Sequence, residues 1–173
     1  STHAGHSKVL MNIYLIGMMG SGKTTVGIKL SEKLKKTFID LDTEIEKSAG
    51  KTISELFDEN GEDHFRLTES KKLKTFSESV IACGGGVVLM EKNRKFIKEN
   101  GTVILLVATM KELAYRLKNS DNRPLLVHEK SENELKNIWL ERQMDYLNTA
   151  DFSIETDGKH PAEIAEEIIL QLS

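Results

Sequence analysis

The sequence predicts an α/β fold, a three-layer αβα sandwich in which helices cover both faces of a five-stranded parallel sheet. Five apolar runs of strand length recur along the 173 residues, with segments of helical spacing between them. Strands that alternate with helices along a chain form parallel sheets covered on both faces. A glycine-rich motif between the first run and the first helical segment is typical of the strand-to-helix turn in such folds.

The five predicted strands are short, and the first and fourth are almost wholly apolar. They cover residues 12–17, 37–41, 80–82, 102–107 and 152–155. A continuous apolar run of this length is consistent with a strand buried on both faces. We therefore expect these runs to form the middle layer of the sandwich.

Helices are predicted where apolar residues recur at every third or fourth position. The first carries Val26, Leu30 and Leu34 on one face. Four more cover residues 43–48, about 53–57, 62–76 and 132–148, and the last carries Ile164, Ile168 and Leu172. Pro161 suits the first turn of that last helix, because a first turn leaves the N–H that proline lacks unpaired anyway.

Length and composition restrict the class of protein. With 39% apolar and 29% charged residues, we expect one ordered domain at residues 11–173, after a loose tail or expression remnant at 1–10. Cys83 is the single cysteine, so no disulfide forms within the chain. Residues 1–8 lack the apolar stretch of a signal peptide, and no run has the length of a transmembrane helix. We expect a cytoplasmic protein with no membrane partner.

The charges argue against a nucleic-acid partner and single out the arginines. The net charge is −3, whereas nucleic-acid-binding proteins usually present a basic face. Arginine presents a rigid fork to carboxylate and phosphate groups, so its rare use beside many lysines marks candidate anion sites. The five arginines are Arg66, Arg94, Arg116, Arg123 and Arg142.

Residues 17–24, Gly-Met-Met-Gly-Ser-Gly-Lys-Thr, match the phosphate-binding pattern G-x-x-x-x-G-K-[ST]. Glycines let the backbone N–H groups of such a loop point at an anion, and the following helix N-terminus adds partial positive charge. Lys23 can then reach the β- and γ-phosphates, and the Thr24 hydroxyl can bind Mg²⁺. The motif predicts a nucleotide site but leaves open whether water, a protein or a small molecule accepts the phosphoryl group.

The second predicted strand ends in Asp40-Leu41-Asp42. Alternation along a strand puts both carboxylates on one face, and open α/β sheets bind ligands at the carboxyl ends of their strands. We therefore expect both to point into the region beside the phosphate loop. The alternative is that Asp42 only caps the helix at 43–48.

Three further features are candidates for binding the acceptor. A run of three glycines at 84–86 follows the third strand, where it either lets the backbone approach a ligand closely or forms a tight turn. Arg66 either binds an anion or pairs with Glu62 or Glu69 on a solvated helix face. Residues 119–131 are polar or short and contain Arg123 before Pro124, which indicates either a lid over the substrates or an inert surface loop.

Taken in order, these features resemble the shikimate kinase family of P-loop enzymes. The resemblance rests on residues 17–24, Asp40 and Asp42, residues 61–69, the glycines at 84–86, residues 123–126 and the Arg142-x-x-x-Tyr146 pattern. It extends from about residue 12 to about residue 172. It implies transfer of the γ-phosphoryl group of ATP to the 3-hydroxyl of shikimate with Mg²⁺, on a sheet of strand order 2-3-1-4-5.

The resemblance also implies a role for each site residue. The nucleotide would be bound by Gly20, Ser21, Gly22, Lys23, Thr24, Thr25, Arg116, Arg123 and Pro161. Shikimate would be bound by Asp42, Arg66, Gly84, Gly85, Gly86 and Arg142, and the metal by Thr24 and Asp40. Lys23, Asp42 and Arg123 would be catalytic. Helices within 43–76 would bind the substrate, 119–131 would form the lid, and the enzyme would act as a monomer.

The chemistry of shikimate, a carboxylate with three hydroxyl groups, agrees with this set. Arg66 and Arg142 can clamp the carboxylate with forked hydrogen bonds, and Asp42 can orient or deprotonate the attacking hydroxyl. Two alternatives remain. One is another small-molecule kinase, acting on gluconate or a nucleotide, and the other is a catalytically silent binding domain, which usually loses the lysine, an aspartate or the lid arginine.

Overall fold

A computed structural model describes residues 11–119 and 130–173 of the chain. In these residues five strands form one parallel sheet flanked by helices, which confirms the predicted fold class. The strands are β1 (Asn12–Ile16), β2 (Thr37–Asp40), β3 (Ser79–Ala82), β4 (Gly101–Val107) and β5 (Phe152–Glu155). The helices are α1 (Lys23–Leu34), α2 (Leu41–Ala49), α3 (Ile53–Leu73), α4 (Glu91–Asn100), α5 (Met110–Lys118), α6 (Glu132–Thr149) and α7 (Pro161–Leu172).

The sheet has the expected strand order, β2-β3-β1-β4-β5, and every neighbouring pair is parallel. β1 lies in the middle, and all five of its residues are buried. Since the carboxyl ends of parallel strands meet at one edge of a sheet, the segments that follow β1, β2 and β3 lie side by side. The phosphate loop, the aspartates and the glycine run are therefore neighbours although they are far apart in sequence.

The two faces of the sheet carry separate apolar cores. Ile13 and Leu15 of β1 belong to one core, which α1 and α7 cover, whereas Tyr14 and Ile16 belong to the other. The second core is covered by the helices α2 to α6. This alternation of side chains along β1 is the physical basis of the three layers.

The helix α3 contains the two helices predicted around 53–57 and 62–76. Thr52 and Glu55 form a reciprocal capping box at its start. Gly61 interrupts the helix with φ 82° and ψ 171°, values that a residue with a side chain rarely adopts. The glycine therefore separates the two helical parts and redirects the second, which carries Arg66.

The helices α4 and α5 were not predicted. Ile97 is the fully buried apolar residue of α4, and Leu113 is that of α5. Met110 and Leu117, three residues before and four residues after Leu113, also pack against the core, so α5 carries an apolar stripe of helical spacing that the prediction omitted.

The predicted tail at 1–10 and most of the predicted lid, residues 120–129 with Arg123, lie outside the described residues. In the described part of the chain, no helix is both long enough and apolar enough to cross a membrane.

Candidate active site

The phosphate loop joins β1 to α1 at the carboxyl edge of the sheet. Gly22 is the N-cap of α1 with φ 97° and ψ 17°, a left-handed conformation that favours glycine. The Ser21 side chain is buried, and its Oγ has no hydrogen-bond partner among the residues that the structure describes. Because the first N–H groups of a helix have no acceptor within it, this loop and helix start are built to receive an anion.

Lys23 lies with its ammonium group on the phosphate loop itself. Nζ donates to the carbonyl oxygen of Gly17 at 2.5 Å and to that of Met18 at 3.1 Å. The positive charge is therefore held beside the inward-facing N–H groups, where phosphate oxygens would gather.

Thr24 and Asp40 connect the phosphate loop to β2. The Thr24 hydroxyl donates to Asp40 Oδ2 at 3.1 Å, and Asp40 Oδ1 accepts from the backbone N–H of Thr43 at 3.2 Å. The second contact makes Asp40 the N-cap of α2. A hydroxyl and a carboxylate at the phosphate loop are oxygen ligands of the kind that Mg²⁺ prefers. These two side chains fit a metal ion at this point.

A groove of about 320 Å³ lies beside the start of α1, and α5 and the segment before α7 form its other walls. Its lining includes Ser21, Gly22, Thr25, Arg116 and Pro161, all expected on the nucleotide side. Arg116 Nη1 donates to the carbonyl oxygen of Gly20 and to Thr156 Oγ1, each at 3.1 Å.

Arg116 is also held from its own helix, since its Nε donates to Glu112 at 3.0 Å. These contacts attach α5 and the segment after β5 to the phosphate loop. Thr156 was not predicted to belong to this region, because a single threonine does not indicate a binding site. The position of β5 in the sheet brings it there.

The three glycines after β3 lie against charged side chains, and we call the glycines with these side chains the acceptor pocket. A Cβ atom added to Gly84 would lie 2.8 Å from Asp42 Oδ1 and 3.0 Å from Glu69 Oε2. One added to Gly85 would lie 3.1 Å from Arg142 Nη1, and one added to Gly86 would lie 2.5 Å from Arg66 Cζ. Because these residues have no side chains, two guanidinium groups and two carboxylates can lie close to the same short stretch of backbone.

Arg66 does pair with Glu69, as one of the two sequence interpretations required, but the helix face is not solvated. Arg66 Nη1 lies 2.9 Å from Glu69 Oε1, and the Glu69 side chain is only 1% exposed. Glu62, 60% exposed, lies 3.6 Å from the other Arg66 nitrogen. The guanidinium also lies 5.3 Å from the ring centroid of Phe65, so its position is fixed from three sides.

The Glu69 carboxyl has a raised pKa. Burial raises the pKa of its carboxyl to about 7, although the nearby Arg66 lowers it, and the charge of Asp42 raises it further. The pocket therefore contains an acid that changes charge near neutral pH, next to two cations whose charge does not change.

The structure corrects the prediction for the second strand. β2 ends at Asp40, and Leu41 and Asp42 already belong to the first turn of α2. The two carboxylates are therefore not alternate residues of one strand, because Asp40 caps the helix and the chain turns there. The interpretation of Asp42 as the helix cap is also wrong. Asp42 nevertheless reaches the pocket, from the helix, at Gly84.

Arg142 and Tyr146 lie one turn apart on α6 and both contact the glycine run. The Tyr146 hydroxyl donates to the carbonyl oxygen of Gly85 at 2.6 Å, and the Tyr146 side chain is fully buried. Burial raises the pKa of Tyr146, so it remains a neutral hydrogen-bond donor. This contact fixes α6, and with it Arg142, relative to the glycines.

Sequence reasoning assigned no site role to Glu69 or Tyr146. Both belong to patterns that carried the family resemblance, but their spacing from Arg66 and Arg142 also fits ordinary helix-surface pairs. Their burial, which only the packing of α3 and α6 determines, identifies them as parts of the pocket.

The chain is similar to shikimate kinases over nearly its whole length. A family model described as shikimate kinase matches residues 19–173. The shikimate kinase of Thermodesulfovibrio yellowstonii is 44% identical over 163 residues, which are 92% of this chain and 94% of that protein. The shikimate kinase of Persephonella marina is also 44% identical over 163 residues, with 92% and 98% covered.

Solved structures give the same result. A shikimate kinase from Acinetobacter baumannii in complex with shikimate has a TM-score of 0.87 at 36% identity, over 98% of this chain and 96% of that one. A shikimate kinase from Aquifex aeolicus has a TM-score of 0.79 at 39% identity, over 94% and 96%. A gluconokinase from Sinorhizobium meliloti has a TM-score of 0.56 at 17% identity, which is a likeness of fold alone.

Proposed function

The chain belongs to the shikimate kinase family and is an ATP-dependent small-molecule kinase, and we propose which of its residues transfer the γ-phosphoryl group of ATP to the 3-hydroxyl of shikimate. The products are shikimate 3-phosphate and ADP, in the biosynthesis of chorismate and the aromatic amino acids. The observation that carries the assignment is the glycine run, onto which Arg66 and Arg142 converge next to the phosphate loop.

On the nucleotide side, the backbone of Gly20, Ser21 and Gly22 with the start of α1 binds the phosphates. Lys23 contributes its charge at the β- and γ-phosphates, where it exchanges loop carbonyls for phosphate oxygens. The groove lined by Thr25, Arg116 and Pro161 receives the rest of the nucleotide. Its volume and its position beside the phosphate loop support this assignment.

Thr24 and Asp40 hold Mg²⁺ in this proposal. When bound, the ion neutralises charge on the phosphate oxygens during transfer. The support is their mutual hydrogen bond at 3.1 Å, which keeps a hydroxyl and a carboxylate together at the phosphate loop. Asp40 is further fixed by capping α2, so its carboxylate is positioned before any ligand arrives.

On the acceptor side, Arg66 and Arg142 bind the carboxylate of shikimate from opposite parts of the glycine run. Gly84, Gly85 and Gly86 leave room for the substrate ring to lie against backbone, and Asp42 accepts hydrogen bonds from its hydroxyl groups. Asp42 thereby orients the attacking hydroxyl and can take its proton. Phosphoryl transfer depends mainly on such positioning and on charge stabilisation.

Arg123, outside the described residues, is the third catalytic group of the proposal. Its guanidinium would stabilise charge at the transferred phosphoryl group. We propose that the enzyme acts as a monomer without a nucleic-acid or membrane partner. We place this activity in the cytoplasm.

The decisive experiment compares acceptors. ADP release from ATP should be fast with shikimate and at background with gluconate or nucleoside monophosphates. Rapid turnover with gluconate or with a nucleoside monophosphate, and none with shikimate, would refute shikimate as the acceptor. The assignment of the nucleotide-binding residues would then stand alone. Absence of turnover with every acceptor, in protein that still binds ATP, would favour a silent binding domain.

A further inference from the structure

Arg94 is the one arginine that the sequence resemblance left without a role. It contacts both the segment that follows the glycine run and the helix α6. It lies on α4, and its guanidinium nitrogen Nη1 donates to the carbonyl oxygen of Val88 at 2.7 Å. The same nitrogen lies 3.4 Å from Asp145 Oδ1 on α6. The Arg94 side chain is 26% exposed and that of Asp145 is 32% exposed, so the pair is partly shielded from water.

The first of these contacts holds the segment that leaves the glycine run. Val88 lies in a 3₁₀ turn, Val87–Leu89, whose N–H groups bond back to Gly84 and Gly86. The neighbour of Arg94 on α4, Asn93, is fully buried and donates from Nδ2 to the carbonyl oxygen of Val87 at 3.0 Å. Two successive residues of α4 therefore hold two successive carbonyls directly after the glycines.

The second contact reaches the turn of α6 that carries the substrate-binding groups. Asp145 lies three residues after Arg142 and directly before Tyr146. Tyr146 bonds to Gly85, and Arg142 approaches the same glycine. Arg94 therefore connects the exit of the glycine run to the α6 turn that places Arg142 over it.

We propose that Arg94 is a positioning residue for shikimate binding, which sets the distance between the glycine run and Arg142 by holding Val88 and Asp145 with one guanidinium nitrogen. This inference rests on the proposed function, because it acts through the Arg142 contact with the substrate carboxylate. Positioning matters there, since a displacement of about 1 Å can cost up to about a hundredfold in activity.

A residue that only joins α4 to α6 should not affect shikimate binding when it is replaced. The chain contains such a residue, which serves as a matched control. Lys98, one turn farther along α4, also donates to α6, from Nζ to the carbonyl oxygen of Asn148 at 3.1 Å. It has no contact with the glycine run among the described residues. Replacement of Lys98 therefore weakens the contact between α4 and α6 and leaves the contacts of the glycine run intact.

The experiment measures the dissociation constants of shikimate and of ATP separately, with melting temperatures, for Arg94→Met, Arg94→Lys and Lys98→Met. Arg94→Met should weaken shikimate binding about tenfold, because both contacts are lost, and leave ATP binding unchanged. Arg94→Lys keeps one charged donor and should fall between this variant and wild type. Lys98→Met should bind both ligands as wild type does.

Unchanged shikimate affinity in folded Arg94→Met would overturn the inference. So would an equal loss in Lys98→Met, or an equal loss of ATP affinity, since either would indicate general loosening. If Arg94→Met does not fold, Asp145→Asn replaces it, because this change alters a partly exposed carboxylate and keeps the bond to Val88. Asp145→Asn should weaken shikimate binding about threefold, and wild-type affinity in it would also overturn the inference.

Arg142→Met, measured in parallel, separates this inference from the proposed function. A loss of shikimate affinity in Arg142→Met with none in Arg94→Met would refute the positioning role alone. Wild-type shikimate affinity in Arg142→Met would refute the carboxylate clamp, and the role of Arg94 with it.

Discussion

The Arg66 guanidinium and the Glu69 carboxylate lie 2.9 Å apart, in an ion pair whose acid is almost completely buried. The arginine lies against Gly86, and the acid lies against Gly84. The pair fixes the guanidinium, but it leaves Glu69 where water cannot stabilise its charge. The protonation of a buried acid is therefore coupled to the arginine that we propose to bind the substrate carboxylate.

The first prediction concerns stability and pH. Burial raises the pKa of Glu69 from 4.5 to about 7, so between these values the folded protein binds more protons than the unfolded chain. The free energy of unfolding should therefore fall as the pH rises through this range, by about 3 kcal/mol from this group. Glu69→Gln removes the titrating group. Urea unfolding at about pH 5 and about pH 8 should show a smaller fall in the variant than in wild type.

The control for this prediction is Glu62→Gln, which changes the exposed acid beside the same arginine. Its unfolding free energy should follow the pH dependence of wild type. An identical dependence in Glu69→Gln and wild type would mean that Glu69 is not the group that titrates near neutral pH.

The second prediction concerns the carboxylate clamp. Arg66→Lys and Arg142→Lys keep the charge but lose the fork, so shikimate should bind at least about tenfold more weakly while ATP binds as before. Calorimetric titration of each ligand measures this difference. Arg116→Lys, on the nucleotide side, should show the reverse pattern. Wild-type shikimate affinity in both clamp variants would contradict the assignment.

The third prediction uses the space above the glycines. In Gly86→Ala the new methyl group would lie 2.5 Å from Arg66 Cζ, so the guanidinium must move, whereas in Gly85→Ala the nearest atom, Arg142 Nη1, is 3.1 Å away. The displaced atoms end flexible side chains, so the fold should survive. The KM for shikimate should rise more in Gly86→Ala than in Gly85→Ala, and steady-state kinetics would refute the geometry if the order were reversed.

The fourth prediction concerns Lys23. Lys23→Met removes a charge that acts on the transferred phosphoryl group, and the loss of one such contact lowers turnover by about 10²–10³. The melting temperature should change little, because Lys23 is only partly buried at the start of α1. Lys29→Met, on an exposed face of the same helix, should keep wild-type turnover. Turnover near that of wild type in folded Lys23→Met would refute the assignment of the loop.

Much of the fold was predictable because its signals are local. Apolar runs identified five strands, and their alternation with helical segments predicted the parallel sheet; the strand order came from the family resemblance. The helices α4 and α5 were missed, although Met110, Leu113 and Leu117 of α5 recur at helical spacing and pack on the core. The course of the chain at Asp42 was predicted wrongly, because capping by Asp40 ends the strand two residues earlier than alternation suggested.

The sequence by itself determined the phosphate loop, since its glycines, lysine and threonine are contiguous and their chemistry depends on local backbone geometry. It also singled out Asp42, Arg66 and Arg142, which the structure brings to the glycine run. Only the tertiary structure decided how they meet. Glu69 became a buried partner of Arg66 because α3 packs with that face inward. Arg94 joined the site because α4 packs against both the turn after the glycine run and α6. The contact of Arg94 with Asp145 joins residues far apart in sequence, and no local pattern of residues can encode such a contact or the burial of Glu69.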